Sequence, residues 1–201
     1  MDAMERTVTP INLDYRIDNY EDAFDTPEVP FPKEFPGLKL PRGMLSVKEL
    51  RILTKYSENG VCLELGTFKG KGTTMLSQRA KKVYTIDAYF EECSLKCAEY
   101  TFEALKKRFE GTNVDVIKGY TATVDIHDEF DLVFIDAGHS YGQVAADFEK
   151  WFPQVKPGGV IIFHDYYYLY PGIIKFVHET LDSGRVEKLE LSDSCFVVRK
   201  L

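Results

Sequence analysis

Val61-Cys62-Leu63-Glu64-Leu65-Gly66-Thr67-Phe68-Lys69-Gly70-Lys71-Gly72 reads as a strand, a glycine-rich turn and the opening of a helix. The apolar run stops at Gly66, and helical character begins at about Thr73. Glycines in such a turn let a ligand approach the backbone, and the first N–H groups of the helix point at that ligand. Glu64 lies inside the strand end, and Asp87 closes the next apolar segment, Val83-Tyr84-Thr85-Ile86-Asp87. Two carboxylates at neighbouring strand tips suit a ligand with hydroxyls or positive charge and repel a bare polyphosphate.

Outward from this stretch the pattern alternates. Strand 61–65 is followed by helix 72–80, strand 83–87 by helix 91–109, and strand 114–118 by a short connection. Strand 131–136 precedes helix 140–152, and strand 159–164 precedes helix 172–182. Runs 185–191 and 194–199 are joined across Ser192-Asp193, short enough for a hairpin. Upstream, Ser46-Val47-Lys48-Glu49 is a capping box opening a helix with Val47, Leu50, Leu53 and Tyr56 near a 3.6-residue period, ending at Asn59-Gly60. Alternation of this kind predicts an α/β fold, a doubly wound, mostly parallel seven-stranded sheet with a C-terminal antiparallel hairpin. Leu132-Val133-Phe134-Ile135 and Val160-Ile161-Ile162-Phe163 are continuous apolar runs of the kind buried on both faces. Ligands in such folds sit beyond the carboxyl ends of the strands, which singles out Glu64, Asp87, Lys118-Gly119, Asp136 and His164-Asp165.

Residues 1–43 differ from the domain at 44–201. They hold six of the nine prolines together with Tyr15, Tyr20, Phe24, Phe31 and Phe35, a density that forbids regular helix or central strand. The reading is an extended arm that packs on the domain, on a second subunit in a homo-oligomer, or over the site. The net charge of −7 argues against a phosphate-backbone binder, so nucleic acid is not the expected partner. No apolar run reaches the ~20 residues of a membrane helix, and the first residues lack the order of a secretory signal. Cys62 and Cys195 fall in apolar strands; Cys93 and Cys97, four apart, share a helix face without further soft ligands nearby. Structural thiols of this kind fit a reducing cytoplasm.

Three motifs in order carry a resemblance: Leu63-Glu64-Leu65-Gly66-Thr67-Phe68-Lys69-Gly70, then Ile86-Asp87, then Val155-Lys156-Pro157-Gly158-Gly159-Val160. Over about residues 45–201 the chain resembles a class I S-adenosylmethionine-dependent methyltransferase with a Rossmann-like fold. Phe134-Ile135-Asp136-Ala137-Gly138-His139-Ser140-Tyr141 with His164-Asp165-Tyr166 narrows the resemblance to the macrocin O-methyltransferase-like group, family 24. The resemblance implies that the backbone of Gly66, Thr67, Phe68 and Gly70 meets the methionine part of the cofactor, with Glu64 orienting its charged amino acid. It implies that Asp87, next to Ala88, takes the ribose hydroxyls, that Gly119, Tyr120 and Thr121 line the adenine, and that Asp136 is also among the cofactor-binding residues. The turn at 118–121 also reads as a plain strand-to-loop connection. A dinucleotide such as NAD is the alternative ligand, but the glycine spacing Gly66-x3-Gly70-x-Gly72 and the Glu64 carboxylate fit a cationic cofactor better.

Metal-dependent relatives hold a divalent cation, Mg²⁺ or Mn²⁺, on acids after the fourth and fifth strands; the matching positions are Asp136, His164 and Asp165. A histidine in that set shifts preference from Mg²⁺ toward Mn²⁺, Fe²⁺ or Zn²⁺. Ala137-Gly138-His139 lacks the acid that many relatives carry there, which leaves His139 as candidate general base beside Asp136, with an ordinary pKa of about 6.5 suited to neutral pH. His139 equally suits a backbone bond in the turn before the capping box Ser140-x-x-Gln143, and His164 a strand-end hydrogen bond. Tyr166-Tyr167-Tyr168-Leu169-Tyr170 supplies aromatics beside the expected reaction centre, some for an acceptor and some for the core. The expected activity is methyl transfer from S-adenosylmethionine to a hydroxyl of a small molecule, of sugar or natural-product type. The rivals are a methyltransferase-like binder without turnover and an enzyme acting on nucleic-acid amines, which no Asn/Asp-Pro-Pro-aromatic run supports.

Overall fold

The computed structural model describes Phe35, Leu38, Leu40, Pro41 and residues 43–89 and 101–201. Most of the proline-rich arm, the Cys93/Cys97 pair and the first part of the 91–109 helix lie outside the described residues.

Ser46 opens α1 (Val47–Tyr56) with the expected reciprocal bonds, Glu49 N–H to Ser46 Oγ at 3.2 Å and Ser46 N–H to a Glu49 carboxylate oxygen at 2.8 Å. The helix stops at Tyr56, before Asn59-Gly60, and Ile52 takes the inward place expected of Val47, which is 40% exposed. Then come β1 (Val61–Leu65), α2 (Lys71–Ser77), β2 (Lys82–Asp87), α3 (Phe102–Arg108), β3 (Val114–Lys118) and β4 (Phe130–Ile135). The chain continues with α4 (Tyr141–Trp151), β5 (Val155–Phe163), α5 (Pro171–Asp182), β6 (Val186–Ser192) and β7 (Cys195–Lys200). Strand β5 is longer than its apolar run, because Val155 pairs with Phe130 ahead of a register shift at Phe130/Leu132.

The strands form one seven-stranded sheet in the order β3-β2-β1-β4-β5-β7-β6. All pairs from β3 to β5 are parallel, and β7 runs antiparallel between β5 and β6. Alternation along the strands sorts side chains into two cores. Cys62, Leu132, Phe134, Ile162 and Val197 pack with Leu50, Leu53, Met75 and Leu105 under α1, α2 and α3. Leu63, Leu65, Val133, Ile161 and Phe196 pack with Val144, Phe148, Trp151, Phe176 and Val177 under α4 and α5. Helices on both faces are why the central strands are apolar throughout. Strand order reverses between β1 and β4, so the crevice of this fold opens beyond Leu65 and Ile135. No helix among the described residues is long and apolar enough to cross a membrane.

Candidate active site

At the reversal point the two strand ends touch. Gly66 has φ +98°, and its N–H donates to the Ile86 carbonyl at 2.8 Å. Beside it the Asp136 N–H donates to the Leu65 carbonyl at 2.8 Å. A Cβ on Gly66 would lie 2.1 Å from the Asp136 carbonyl oxygen, so this position admits glycine alone.

The turn after Gly66 is fixed by acids and hydroxyls. Asp87 accepts the Phe68 N–H on one carboxylate oxygen at 2.9 Å and the Tyr89 N–H on the other at 2.8 Å. It therefore joins the tips of β1 and β2, and a carboxylate oxygen can accept from more than one donor. Ala88 follows it, half-buried at the same tip. Thr67 and Thr85 hydroxyls lie 2.7 Å apart and are buried.

Glu64 lies against the glycine turn, as expected, but beneath it. Its parity puts it with Cys62, on the face covered by α1 and α2, and it is 1% exposed. It accepts from the Thr73 hydroxyl and from the Thr85 hydroxyl at 2.6 Å, and a Cβ on Gly72 would lie 2.3 Å from its Oε1. The carboxyl thus braces the glycine turn from beneath. Burial pushes it up to about 8 from its ordinary 4.5, against the pull of the two hydroxyls. Because the folded chain holds this proton more tightly than the unfolded chain, stability falls as pH rises through that interval. Glu64→Gln is expected to flatten the decline in melting temperature between about pH 5 and pH 8; an unchanged decline would show that Glu64 is ionised in the fold.

Beyond β4 and β5 four titratable groups converge. His139 Nε2 lies 2.7 Å from Asp165 Oδ2, and its ring stacks on Tyr170 with centroids 4.6 Å apart. His164 is 5% exposed, with Nδ1 2.9 Å from Asp136 Oδ1 and 3.3 Å from Asp165 Oδ2. Its Nε2 faces inward, 3.4 Å from Glu49 Oε1, and neither ring nitrogen makes a well-aligned hydrogen bond. Asp165 sits at φ +55°, a conformation that an L-residue rarely adopts and that is common at functional turns.

Charge follows from these distances. Burial opposes the His164 charge, but Asp136 and Glu49 outweigh it and hold the imidazole well above its usual range. Burial likewise opposes a charged Asp165, yet the bonded His139 and nearby His164 keep it well below the usual carboxylate range. For Asp136 burial wins over His164 and raises the carboxyl. The hydrogen bond to Asp165 raises His139. Neighbouring acids driven in opposite directions mark sites of proton chemistry.

Glu49 was legible only as a cap. The structure buries it to 3% exposure, where it accepts from the Ser194 N–H at 3.0 Å and the Ser194 hydroxyl at 2.6 Å. With His164 opposing its burial, its carboxyl falls to about 2. His164 therefore stands behind the two aspartates, with Glu49 on one side of its ring and Asp136 on the other. On the open side, Asp136, His139 and Asp165 each offer one donor atom, all within 4.8 Å of one another. Of the ion set expected from the sequence, Asp136 and Asp165 recur in this group, with His139 beside them where His164 was expected.

In the turn after β3, the Gly119 N–H donates to the Asp87 carbonyl at 2.9 Å, and Tyr120 stands 67% exposed. Thr121 is bonded to Asp147 and Trp151 of α4, so its side chain faces the protein. In the tyrosine loop, Tyr166 turns inward, its hydroxyl 2.8 Å from Nε2 of His178. Tyr168 and Leu169 are exposed, 54% and 56%.

The sequence profile described as a methyltransferase domain, family 24, matches residues 63–166, from β1 through both aspartates to Tyr166. The chain belongs to this family. The chain is similar to solved structures at low identity. The O-methyltransferase NovP aligns with a TM-score of 0.66 at 15% identity, over 92% of this chain and 88% of that one. An O-methyltransferase from Bacillus cereus in complex with SAH aligns at 0.62 and 19%, over 81% of this chain and 84% of that one. By sequence, the uncharacterized protein R132 of Acanthamoeba polyphaga mimivirus is 33% identical over 118 residues, 52% of this chain and 50% of that protein. The chain thus spans half the length of that curated relative.

Proposed function

We propose that this methyltransferase domain transfers the methyl group of S-adenosylmethionine to a hydroxyl of a small molecule, of sugar or natural-product type. The observation that carries the reading is the shared crevice at the β1/β4 reversal, where the glycine turn, Asp87 and the acid–histidine cluster meet. The family match and the likeness to structures solved with SAH support the same donor. The turn from Gly66 through Thr67 and Phe68 to Gly70 takes the methionine part, Asp87 the ribose hydroxyls, and the loop at Gly119 and Tyr120 the adenine.

Transfer forms a C–O bond as the C–S bond breaks, and the acceptor's proton must leave. His139 is the group held for that proton. Its Nε2–H donates to Asp165, which fixes the ring and leaves Nδ1 as acceptor when the imidazole is neutral. Tyr170 limits rotation of the ring by stacking on it. Because Asp165 raises His139, the ascending limb of the pH–rate profile is expected above its ordinary value of about 6.5. His139→Gln should remove that limb and lower kcat by about a hundredfold or more; full activity with an unshifted profile would remove His139 from the reaction.

A second reading is favoured by the convergence of three donors on an excess of acid charge. Asp136, His139 and Asp165 would then hold a divalent cation, which would lower the pKa of the acceptor hydroxyl. Two oxygens and one imidazole nitrogen suit Mn²⁺ or Fe²⁺ better than Mg²⁺. Thermal shift with S-adenosylmethionine and with SAH tests the donor. Labelled-methyl transfer to a panel of hydroxyl acceptors, before and after EDTA, separates the two readings. Turnover that survives EDTA assigns the His139–Asp165 pair; turnover restored by Mn²⁺ assigns the ion. Donor binding without turnover on any acceptor would leave a binding protein.

A further inference from the structure

Helix α4 holds one residue of the loop after β3 at two points. The Thr121 hydroxyl donates to Asp147 Oδ1, and the Trp151 indole N–H donates to the Thr121 carbonyl at 3.0 Å. Asp147 and Trp151 are four residues apart and so share a face of α4, one turn from each other. Both are buried, 2% and 0% exposed.

A carboxyl is an expensive choice for that position. Burial pushes Asp147 up, and the Thr121 hydroxyl is the group that counters it. An apolar side chain would fill the same wall without desolvating an acid, so packing alone does not call for aspartate here. What the acid adds is direction. It fixes the Thr121 side chain while Trp151 fixes its main chain, and the indole is itself locked edge-on against Phe130, with centroids 5.9 Å apart.

The loop is pinned at its other end as well. The Gly119 N–H is bonded to the Asp87 carbonyl, and the Tyr120 carbonyl accepts from the N–H groups of Thr123 and Val124 at 2.9 and 3.1 Å. Between these anchors the Tyr120 ring is left exposed, two residues past the Lys118 that pairs with Asp87. A rigid loop that displays an aromatic ring at the tip of β3 is a surface against which a flat base can lie.

We propose that Asp147 and Trp151 are positioning residues for the nucleoside end of the methyl donor, gripping Thr121 by its hydroxyl and its carbonyl so that the turn bearing Tyr120 is preset at the crevice. Neither touches the ligand; both act through Thr121. The inference rests on the reading of the crevice as an S-adenosylmethionine site.

The test compares wild-type protein with Thr121→Val and Asp147→Asn, using SAH and 5′-deoxy-5′-methylthioadenosine as ligands in titration calorimetry. Val removes the donor at nearly constant volume, whereas Asn keeps an oxygen that accepts from Thr121. Thr121→Val is expected to weaken both ligands by the same factor, about tenfold, because the loss falls on the part they share. Asp147→Asn should stay within about twofold of wild type. Trp151 is the one tryptophan of the chain, so its emission reports the grip directly. SAH should shift that emission in the wild type and shift it less in Thr121→Val. Wild-type affinity and emission response in Thr121→Val, or an equal loss in Asp147→Asn, would overturn the proposal. A wild-type protein that binds neither ligand would overturn the donor reading itself, and this one with it.

Discussion

Asp136→Asn is expected to reduce methyl transfer by about a hundredfold to ten-thousandfold. The substitution keeps shape and main-chain bonding, since the residue is held through its N–H to the Leu65 carbonyl. It removes a negative charge that faces His164 Nδ1 at 2.9 Å and shares a cluster with His139 and Asp165. Under either reading of the site that charge is needed, to balance the imidazole that receives the proton or to ligate the ion. His164 also loses one of the acids that hold it protonated, so the effect spreads through the network instead of stopping at one bond. The measurement is turnover with labelled S-adenosylmethionine at saturating donor, alongside SAH affinity. Turnover above about a tenth of wild type would show that Asp136 is structural, because a group acting in the transition state is worth more than that.

Gly66→Ala is expected to lower the melting temperature by about 10 °C and to abolish SAH binding. A φ of +98° strains any side chain, at about 1–3 kcal/mol. The added carbon would lie 2.1 Å from the Asp136 carbonyl oxygen, 2.7 Å from its carbon and 3.0 Å from Ala137 Cα, all backbone atoms that cannot swing aside. Relief requires the tips of β1 and β4 to part, which breaks the bond between Asp136 and Leu65 at a further cost of about 1 kcal/mol. About 3 kcal/mol in total corresponds to about 10 °C for a domain of this size. The same movement displaces the turn before Phe68 and the acid that follows Ile135. Thermal denaturation with and without SAH reads both effects. A variant within about 2 °C of wild type that still binds SAH would mean that the strand ends yield more easily than their backbone contacts imply.

The fold was legible because its signals are local. Leu132 to Ile135 and Val160 to Phe163 announce strands covered on both faces, and Ser46/Glu49 and Ser140/Gln143 announce helix starts that the structure reproduces. Asp136, His139, His164 and Asp165 were each legible as candidates because the fold rule sends strand-end residues to one crevice; which three of them face one another was not. What was missed required partners far along the chain. Glu49 has a complete local explanation as a cap, and nothing in its neighbourhood points to Ser194, 145 residues away. The inward turn of His164 follows from that same carboxylate. Glu64 is different, since a signal existed. It shares parity with Cys62 on a five-residue strand, which already placed it beneath the helices.

Strand β7 enters the sheet between β5 and β6, both of which precede it in the chain. As the polypeptide emerges during synthesis, β5 therefore presents Val160, Ile161, Ile162 and Phe163 along an open edge, while β6 has no neighbour to pair with. Bare edges of this composition invite pairing with other nascent chains. Closure comes when Cys195 to Lys200 slide into place, and the same event delivers Ser194 to Glu49. Covering of the β5 edge and the Ser194 contact to the carboxylate behind His164 thus depend on one and the same strand.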